Sequence, residues 1–165
     1  MFIFSHQILS MASATEENYL KALLKLSKEK GNCTVSELSK LLGVSTPTTN
    51  SMIRKLSEKD WIKYEKYKPL ELTELGRKKA ALVIRKHRLT EMFLVEAMDF
   101  GWEEVHAIAE QIEHIDSDAF FNRMDELLGH PSMDPHGSPI PDVNGVIQHK
   151  SYMNMAEAKK GVKYR

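Results

Sequence analysis

Four side chains that can bind a divalent cation recur on one predicted helix between Trp102 and Ile115. At 100° per residue they fall within an arc of about 100°, so one face carries two imidazoles and two carboxylates. These side chains are His106, Glu110, Glu113 and His114. The apolar residues on the opposite side are Val105, Ile108, Ile112 and Ile115. The pattern predicts a helix that packs through its apolar side and presents a metal-binding face on the other.

The preceding predicted helix carries a second pair of potential ligands. His87 and Glu91 stand four residues apart and therefore share a helix face. Taken singly, a His or a Glu on a helix is most often a solvated surface residue. Two such sets on consecutive helices favour a metal site with one or two ions. Because the six donors are imidazoles and carboxylates without a thiolate, they suit Mn²⁺ or Fe²⁺ better than a cysteine-rich zinc site.

Short polar residues that cap helix N-termini divide the first sixty residues into three predicted helices. Thr15 is predicted to cap the first, and Thr34 the second, over residues 35–42. The third begins at Ser45 or Thr46 with a proline in its first turn, where proline is tolerated. Two short helices joined by a turn of this kind are typical of a helix-turn-helix.

The residues after the third helix predict a small hairpin and then three more helices. Residues 61–64 and 70–72 are expected to form the two strands of a wing. Thr73 is predicted to cap a long helix over residues 74–98, and further helices are expected over 102–115 and from Ser117 to 128. Residues 129–145 are rich in Pro and Gly and read as irregular. The expected fold is mainly α, with an N-terminal winged helix-turn-helix followed by a helical domain.

The third helix is the expected DNA-reading element, since the N-terminal residues of such a helix meet the base edges in the major groove. Its candidates for base or phosphate contact are Ser45, Thr46, Pro47, Thr48, Asn50 and Ser51. Asn50 can pair with adenine. The candidates for neutralising phosphates are Arg54, Lys55, Lys66 and Lys68. Any single lysine is more often a solvated surface residue, so the prediction rests on the arrangement as a whole.

The zero net charge hides an uneven distribution along the chain. Through Thr90 there are 17 Lys and Arg against 9 Asp and Glu, whereas from Glu91 to His130 there is one basic residue against 11 acidic ones. A basic half suits a polyanion such as DNA, and an acidic half suits cations or is simply a solvated surface. The single cysteine, Cys33, excludes an internal disulfide and favours the cytoplasm. No apolar run approaches the about 20 residues of a membrane span, so no membrane is expected among the partners.

Several stretches together resemble the diphtheria-toxin-repressor family, which includes iron-responsive and manganese-responsive regulators. The match covers about residues 15–142. The stretches are residues 17–20 (ENYL), 70–76 (LELTELG), 85–91 (RKHRLTE), 102–106 (WEEVH), 112–114 (IEH) and 134–141 (DPHGSPIP). Their order and spacing are more specific than the helix-turn-helix alone.

The resemblance implies a metal-activated transcriptional repressor of metal-homeostasis genes. It implies a winged helix-turn-helix over residues 11–80, a helical metal-binding and dimerisation domain over 81–142, and a linker over 143–165 that leads to a truncated SH3-like domain. The expected partners are a second copy of the chain and double-stranded DNA with a palindromic operator. The apolar residues beyond the needs of one small core could bury the dimer interface or pack with each other, namely Phe93, Leu94, Phe120, Phe121, Met124, Leu127 and Leu128.

The resemblance also implies two sets of metal ligands. His87, Glu91 and His106 match the ancillary site of the iron-responsive branch. Glu110, Glu113 and His114 match the regulatory site, with Asn18 at the position of a ligand from the first helix. Glu110 stands where the iron-responsive branch has Cys, which favours Mn²⁺ slightly over Fe²⁺. Lys21 stands where the manganese-responsive branch has an acidic ligand, and an ammonium cannot bind a cation, so a close two-ion cluster is not expected.

Three other functions compete with this prediction. The chain could be a winged-helix transcriptional regulator without metal control, in which the His and Glu residues are surface residues. It could be an interaction module whose helical half only dimerises. A hydrolytic metalloenzyme is disfavoured because no nucleophile motif, phosphate loop or H-E-x-x-H pattern is present, and we expect no enzymatic activity. His130, His136 and His149 lie in the loop-rich segment, where solvent exposure is expected.

Overall fold

The computed structural model describes residues 12–147, which form six helices and one two-stranded antiparallel sheet. In chain order these elements are α1 (Ala14–Lys30), α2 (Val35–Leu42), α3 (Thr46–Glu58), β1 (Ile62–Lys63), β2 (Glu71–Leu72), α4 (Glu74–Met98), α5 (Val105–Ile112) and α6 (Asp118–Leu127). The expected fold class, a mainly α chain with an N-terminal winged helix-turn-helix, is confirmed.

Side-chain caps begin most of the helices. Thr34, Ser45, Thr73 and Ser117 each accept a hydrogen bond from a backbone amide three residues on, as predicted. The prediction for α1 was wrong: Ser13, not Thr15, is its cap. The Glu16 amide donates to the Ser13 hydroxyl, and the Ser13 amide donates to the Glu16 carboxylate, which completes a capping box. The carboxylate at residue 16 therefore fixes Ser13 as the start of this helix.

The wing is a short hairpin. Ile62 pairs with Leu72 and Lys63 with Glu71, so each strand is shorter than predicted from the sequence. The start of α4 packs closely on this hairpin, because the Thr73 amide donates to the carbonyl of Trp61. At Gly76 an added Cβ would overlap that same carbonyl oxygen, which explains why the first turn of α4 carries a glycine here.

The winged helix has its own apolar core. Side chains from α1, α2, α3 and both strands meet there, and α4 contributes Ala80 and the partly buried Ile84. The largest of the fully buried side chains are Leu20, Leu23, Leu38, Ile53, Leu56, Ile62 and Leu70. This core fixes the angle between α2 and α3. A hydrogen bond from the Ser39 hydroxyl to that of Thr49 adds a polar contact between the same two helices.

A second, smaller core lies farther along α4. It contains Leu89, Phe121, Met124 and Ile140, and so joins α4 to α6 and to the segment after α6. The single helix α4 therefore belongs to both cores. It continues across residue 80, where the sequence places a domain boundary, and this division stays a prediction. Of the predicted linker over 143–165, residues 148–165 lie outside the described part of the chain.

The short helix α5 differs from the prediction in its extent and in the face that it buries. It begins at Val105 rather than Trp102, because residues 102–104 form a turn. Its buried residues are Val105 and Ala109, while Glu113 just after it is also buried and Ile115 is exposed. Trp102 and Leu127 are 62% and 68% exposed.

Within residues 12–147, no helix is long and apolar enough to cross a membrane.

Candidate metal centre and nucleic-acid interface

Three donor atoms from α4 and α5 converge at one point. The Nε2 atom of His87 lies 3.0 Å from Nδ1 of His106, and each nitrogen lies 3.1 Å from Oε1 of Glu91. His87 and Glu91 face α5 because they are one helical turn apart on α4. Glu91 is 3% exposed, whereas His106 is 63% exposed and closes the group from the solvent side. The predicted ligands His87, Glu91 and His106 are thus brought together.

The spacing of these donor atoms fits a divalent cation. Neighbouring ligand atoms around a six-coordinate ion with bonds of about 2.1 Å are about 3.0 Å apart. The three atoms form a nearly equilateral triangle of that size, from two imidazoles and one carboxylate. The chemistry of the donors suits Mn²⁺ or Fe²⁺, and the set can hold such an ion with positions left for further ligands.

Hydrogen bonds of the His87 imidazole connect this group of side chains. Burial lowers the pKa of His87, but hydrogen bonds with Glu113 and Glu91 outweigh that effect and raise this pKa to about 9. Nδ1 of His87 lies 2.5 Å from Oε2 of Glu113, and its Nε2 faces Glu91. The neighbouring imidazole lowers the pKa of Glu91 against the raising effect of burial. At neutral pH His87 therefore donates from both nitrogens, and a metal at Nε2 must displace a proton.

The second predicted set is occupied by a side chain of α1. Glu113 is completely buried, and its Oε1 lies 2.5 Å from Nζ of Lys21. Burial raises the pKa of Glu113, while the hydrogen bonds from His87 and Lys21 lower it, with a lowered pKa as the net result. The same ammonium lies 3.8 Å from Glu110, whose side chain is half exposed. Lys21 thus supplies positive charge where the sequence predicts a regulatory ion.

The other members of the second set are dispersed. His114 turns away from the triangle, and its Nδ1 lies 2.6 Å from Oε2 of Glu17. Its Nε2 lies 3.6 Å from Glu113. Asn18 is exposed and lines the same cleft as Lys21 and the triangle. Glu17 was missed in the sequence; its position beside Asn18 in the ENYL stretch is the signal that could have identified it.

Two further potential ligands come from the segment after α6. Asp134 and His136 lie beside Glu91, and the three residues form a second group of potential donors. Nδ1 of His136 lies 3.9 Å from Oε2 of Glu91, the carboxylate oxygen that does not face His87. His136 is solvent-exposed in a loop, as expected, but its ring also packs against Trp102 and lies beside Glu91.

The predicted DNA-reading residues lie on the outer face of α3. Ser45, Thr46, Pro47, Thr48, Ser51, Arg54 and Lys55 are exposed, and Asn50 is partly buried. The Ser45 hydroxyl accepts from the Thr48 amide and bonds to the Thr48 hydroxyl, so both hydroxyls already hold the start of the helix. Thr49 is fully buried and faces α2. The exposed face is therefore polar, with short side chains at its N-terminal end and the cations Arg54 and Lys55 farther along.

Two of the four predicted phosphate contacts are already paired with carboxylates. Lys55 lies 3.1 Å from the buried Glu16, and Lys68 lies 2.5 Å from Glu65 at the wing. Arg54 and Lys66 carry no such ion pair among the described residues, although Lys66 lies over the ring of Tyr67. Tyr67 is 92% exposed at the tip of the wing. Arg54 and Lys66 are thus the cations most available to a polyanion.

Comparisons with known proteins agree with this architecture. Residues 11–70 match the family described as iron dependent repressor, N-terminal DNA binding domain. Residues 73–142 match iron dependent repressor, metal binding and dimerisation domain. The change from one match to the other falls just before α4.

Two relatives illustrate the similarity. The iron-dependent repressor IdeR of Mycobacterium tuberculosis is 35% identical over 127 residues, which are 77% of this chain and 55% of that protein. The transcriptional regulator MntR of Geobacillus kaustophilus is 31% identical over 118 residues, which are 72% of this chain and 83% of that protein. The chain thus spans about half the length of IdeR and most of MntR.

Solved structures share the fold. A manganese-dependent transcriptional repressor in complex with manganese superposes with a TM-score of 0.76 at 34% identity, covering 87% of this chain and 66% of that one. The resemblance carried by the sequence motifs is confirmed, since both domain descriptions match in the expected order. The chain therefore belongs to the iron-dependent repressor family, of which the diphtheria toxin repressor is also a member.

Proposed function

We propose that the chain is a metal-dependent, DNA-binding transcriptional repressor that acts as a homodimer on a palindromic operator. The observation that carries the proposal is the triangle of donor atoms from His87, Glu91 and His106 beside a winged helix. It also has support from relatives whose names describe iron-dependent and manganese-dependent repression. Metal-homeostasis genes are the proposed targets, and the cytoplasm is the proposed location.

The activating ion is Mn²⁺ or Fe²⁺. The donors are nitrogen and oxygen atoms, which suit these ions. The single thiol does not compete for the ion, because Cys33 is buried in the winged-helix core. Burial raises the pKa of Cys33 to about 11, so it stays protonated at neutral pH. His87, Glu91 and His106 would hold the ion, which would supply positive charge between α4 and α5.

The second predicted set, Glu110, Glu113, His114 and Asn18, is proposed as a weaker site. A metal cation could bind there only after the Lys21 ammonium withdraws from Glu113, because the cation and the ammonium would compete for the same carboxylate oxygen. The chain's own residues thus hold α1 against α5 through a charge pair in the absence of an ion. This arrangement distinguishes the two sets, because the triangle contains no such competing ammonium.

Metal binding and DNA binding are coupled through α4 in this proposal. His87 and Glu91 lie on the helix whose N-terminal turn carries the wing and whose other end packs on α6. If His87 gave up its Nε2 proton on binding an ion, the charges that hold α4 to α5 would change, and the equilibrium between orientations of the winged helix would shift. Because such coupling is reciprocal, DNA must strengthen metal binding by the same factor.

The dimer is proposed to use the apolar surface near α5 and α6. Trp102, Ile115, Phe120 and Leu127 are all exposed in the single chain, although they are large and apolar. Burying such a surface against a second copy removes it from water. The role proposed is regulatory rather than enzymatic, as for the relatives that are named as repressors.

The proposal is tested by fluorescence anisotropy with labelled palindromic promoter fragments. Purified protein is titrated in the presence of chelator, Mn²⁺, Fe²⁺ without oxygen, or Zn²⁺. We expect tight DNA binding only with Mn²⁺ or Fe²⁺, and we expect His106→Ala to lose it. Because the His106 side chain is 63% exposed, this change should remove a ligand without unfolding the protein. His130→Ala, an exposed histidine outside the group, is the matched control. Equal DNA binding in chelator would refute metal control and leave the metal-independent winged-helix regulator as the explanation.

A further inference from the structure

We infer that His136, in the segment after α6, is an additional ligand of the ion held by His87, Glu91 and His106. The inference rests on the proposed function, because it concerns the same metal site. Neither of the two predicted ligand sets includes His136, and it lies 45 residues beyond Glu91 in the sequence.

The distance between His136 and Glu91 permits a shared ion. Two atoms bound to the same ion at about 2.1 Å can be at most about 4.2 Å apart. Nδ1 of His136 lies 3.9 Å from Oε2 of Glu91, so these two atoms can share the ion of the triangle if Glu91 binds it through both carboxylate oxygens. The other oxygen of the same carboxylate faces His87 and His106, so Glu91 is common to both donor groups and His136 reaches the ion by turning its ring toward them.

The backbone around His136 is held in place by a buried carboxylate. Oδ1 of Asp134 accepts hydrogen bonds from the amides of His136 and Ser138, at 2.9 and 2.8 Å. Oδ2 of Asp134 lies 3.3 Å from Nε of Arg88 on α4, and Arg88 also donates to the carbonyl of Pro139. The turn that carries His136 is thus fixed to α4, on which Arg88 directly follows His87.

The surroundings of the His136 ring are also compatible with metal binding. The ring of His136 packs edge to face against Trp102, with centroids 5.6 Å apart. Its side chain is 35% exposed, which leaves it free to turn toward Glu91 without disturbing a core. A His side chain at this position suits the donor preferences of Mn²⁺ and Fe²⁺ and adds a third imidazole to the set. Metal binding would then tie the segment after α6 to α4 and α5.

The test measures metal binding directly. Mn²⁺ affinity is determined by competition with a fluorescent chelator for the wild type, His136→Ala, His106→Ala and His130→Ala. We expect His136→Ala to weaken Mn²⁺ binding about 10- to 100-fold, the range of changes around a metal site. His130→Ala, in an exposed histidine next to the same segment, is expected to leave the affinity unchanged.

A second readout counts the imidazoles. Pulsed electron paramagnetic resonance of bound Mn²⁺ with ¹⁵N-labelled histidine should show one coupled imidazole fewer in His136→Ala than in the wild type. Unchanged affinity and coupling in His136→Ala, together with weakened binding in His106→Ala, would overturn this inference and leave the proposed function intact. Unchanged affinity in both variants would overturn the triangle as the metal site, and the proposed function with it.

Discussion

The ammonium nitrogen of Lys21 lies 2.5 Å from a carboxylate oxygen of Glu113, so α1 is joined to α5 by a charge pair. Glu113 is fully buried, and its other oxygen contacts His87. Lys21 therefore links the winged helix to a residue that also contacts His87 of the donor triangle. A buried carboxylate without these partners would be strongly unfavourable, which gives this pair weight in holding α1 in place.

Lys21→Glu is expected to raise the number of Mn²⁺ ions bound per chain from one to two. The change removes the competing ammonium and adds a carboxylate beside Glu110 and Glu113. Isothermal titration calorimetry gives the stoichiometry. Lys25→Glu is the matched control, since Lys25 is exposed one turn farther along α1 and lines the same cleft. A stoichiometry of two in the wild type would contradict the view that Lys21 blocks the second set.

Arg54→Ala is expected to weaken DNA binding by a similar factor for all sequences. Arg54 is exposed on α3 and is available for a phosphate, so its loss should reduce the slope of log K against log salt by about one. The slope is measured by anisotropy between low and moderate salt. Arg123→Ala removes the same charge from α6, where Arg123 pairs with Glu126, and should not change the slope. Equal slopes for wild type and Arg54→Ala would exclude Arg54 from the interface.

Gly76→Ala is expected to lower the free energy of unfolding, at the upper end of the about 1–3 kcal/mol typical of overpacking. The added Cβ would overlap the carbonyl oxygen of Trp61, a backbone atom that cannot move without shifting the wing. Urea unfolding followed by circular dichroism measures the change. Arg77→Ala, at the next and exposed position of α4, controls for the general effect of alanine. Identical stability of the two variants would mean that α4 and the wing can separate at no cost.

Glu16→Gln is expected to make the free energy of unfolding depend less on pH in the acid range. Burial raises the pKa of Glu16, but hydrogen bonds from Lys59, the Ser13 amide and Lys55 lower it to about 2. Because the folded pKa lies below the ordinary value of 4.5, the ionised form stabilises the fold above pH 4.5. That contribution, on the order of 3 kcal/mol, disappears as the pH falls from 4.5 through 2.

Urea unfolding at several pH values checks this dependence. Glu16→Gln should be less stable than the wild type at pH 7 and approach it near pH 2. Glu58→Gln makes the same change of charge at an exposed position of α3 and should leave the pH dependence of the wild type in place. A Glu16→Gln curve parallel to that of the wild type would show that Lys55 and Lys59 do not stabilise the carboxylate.

Local features of the fold were predictable from the sequence because they depend on residues close together in the chain. Thr34, Ser45, Thr73 and Ser117 cap helices through bonds that span three residues. The sequence also contains the signal that would have prevented the error at Thr15. Ser13 stands three residues before Glu16, which is the spacing of a capping box, and Thr15 does not.

The candidate site was predictable only in part. Helical periodicity places His87 with Glu91 and His106 with Glu113, but it cannot tell which face of α5 turns toward the protein. Glu113, predicted on a face open to cations, is instead buried against Lys21, 92 residues earlier in the chain. His136 reaches the site through a turn held by Asp134, and nothing in the local pattern around it gives that position.

Because α4 belongs to both cores, a tilt of this helix about the donor triangle would move its N-terminal end, next to the wing. From His87 to Glu74 at the wing, 13 residues of helix span about 20 Å. A tilt of about 5° at His87 would displace that end by about 1.7 Å, and two copies related by a two-fold axis would change their separation by up to about 3.4 Å. That is the rise of one base pair along DNA, so in the proposed dimer a tilt of this size would be enough to bring the two α3 helices into or out of register with a palindromic operator.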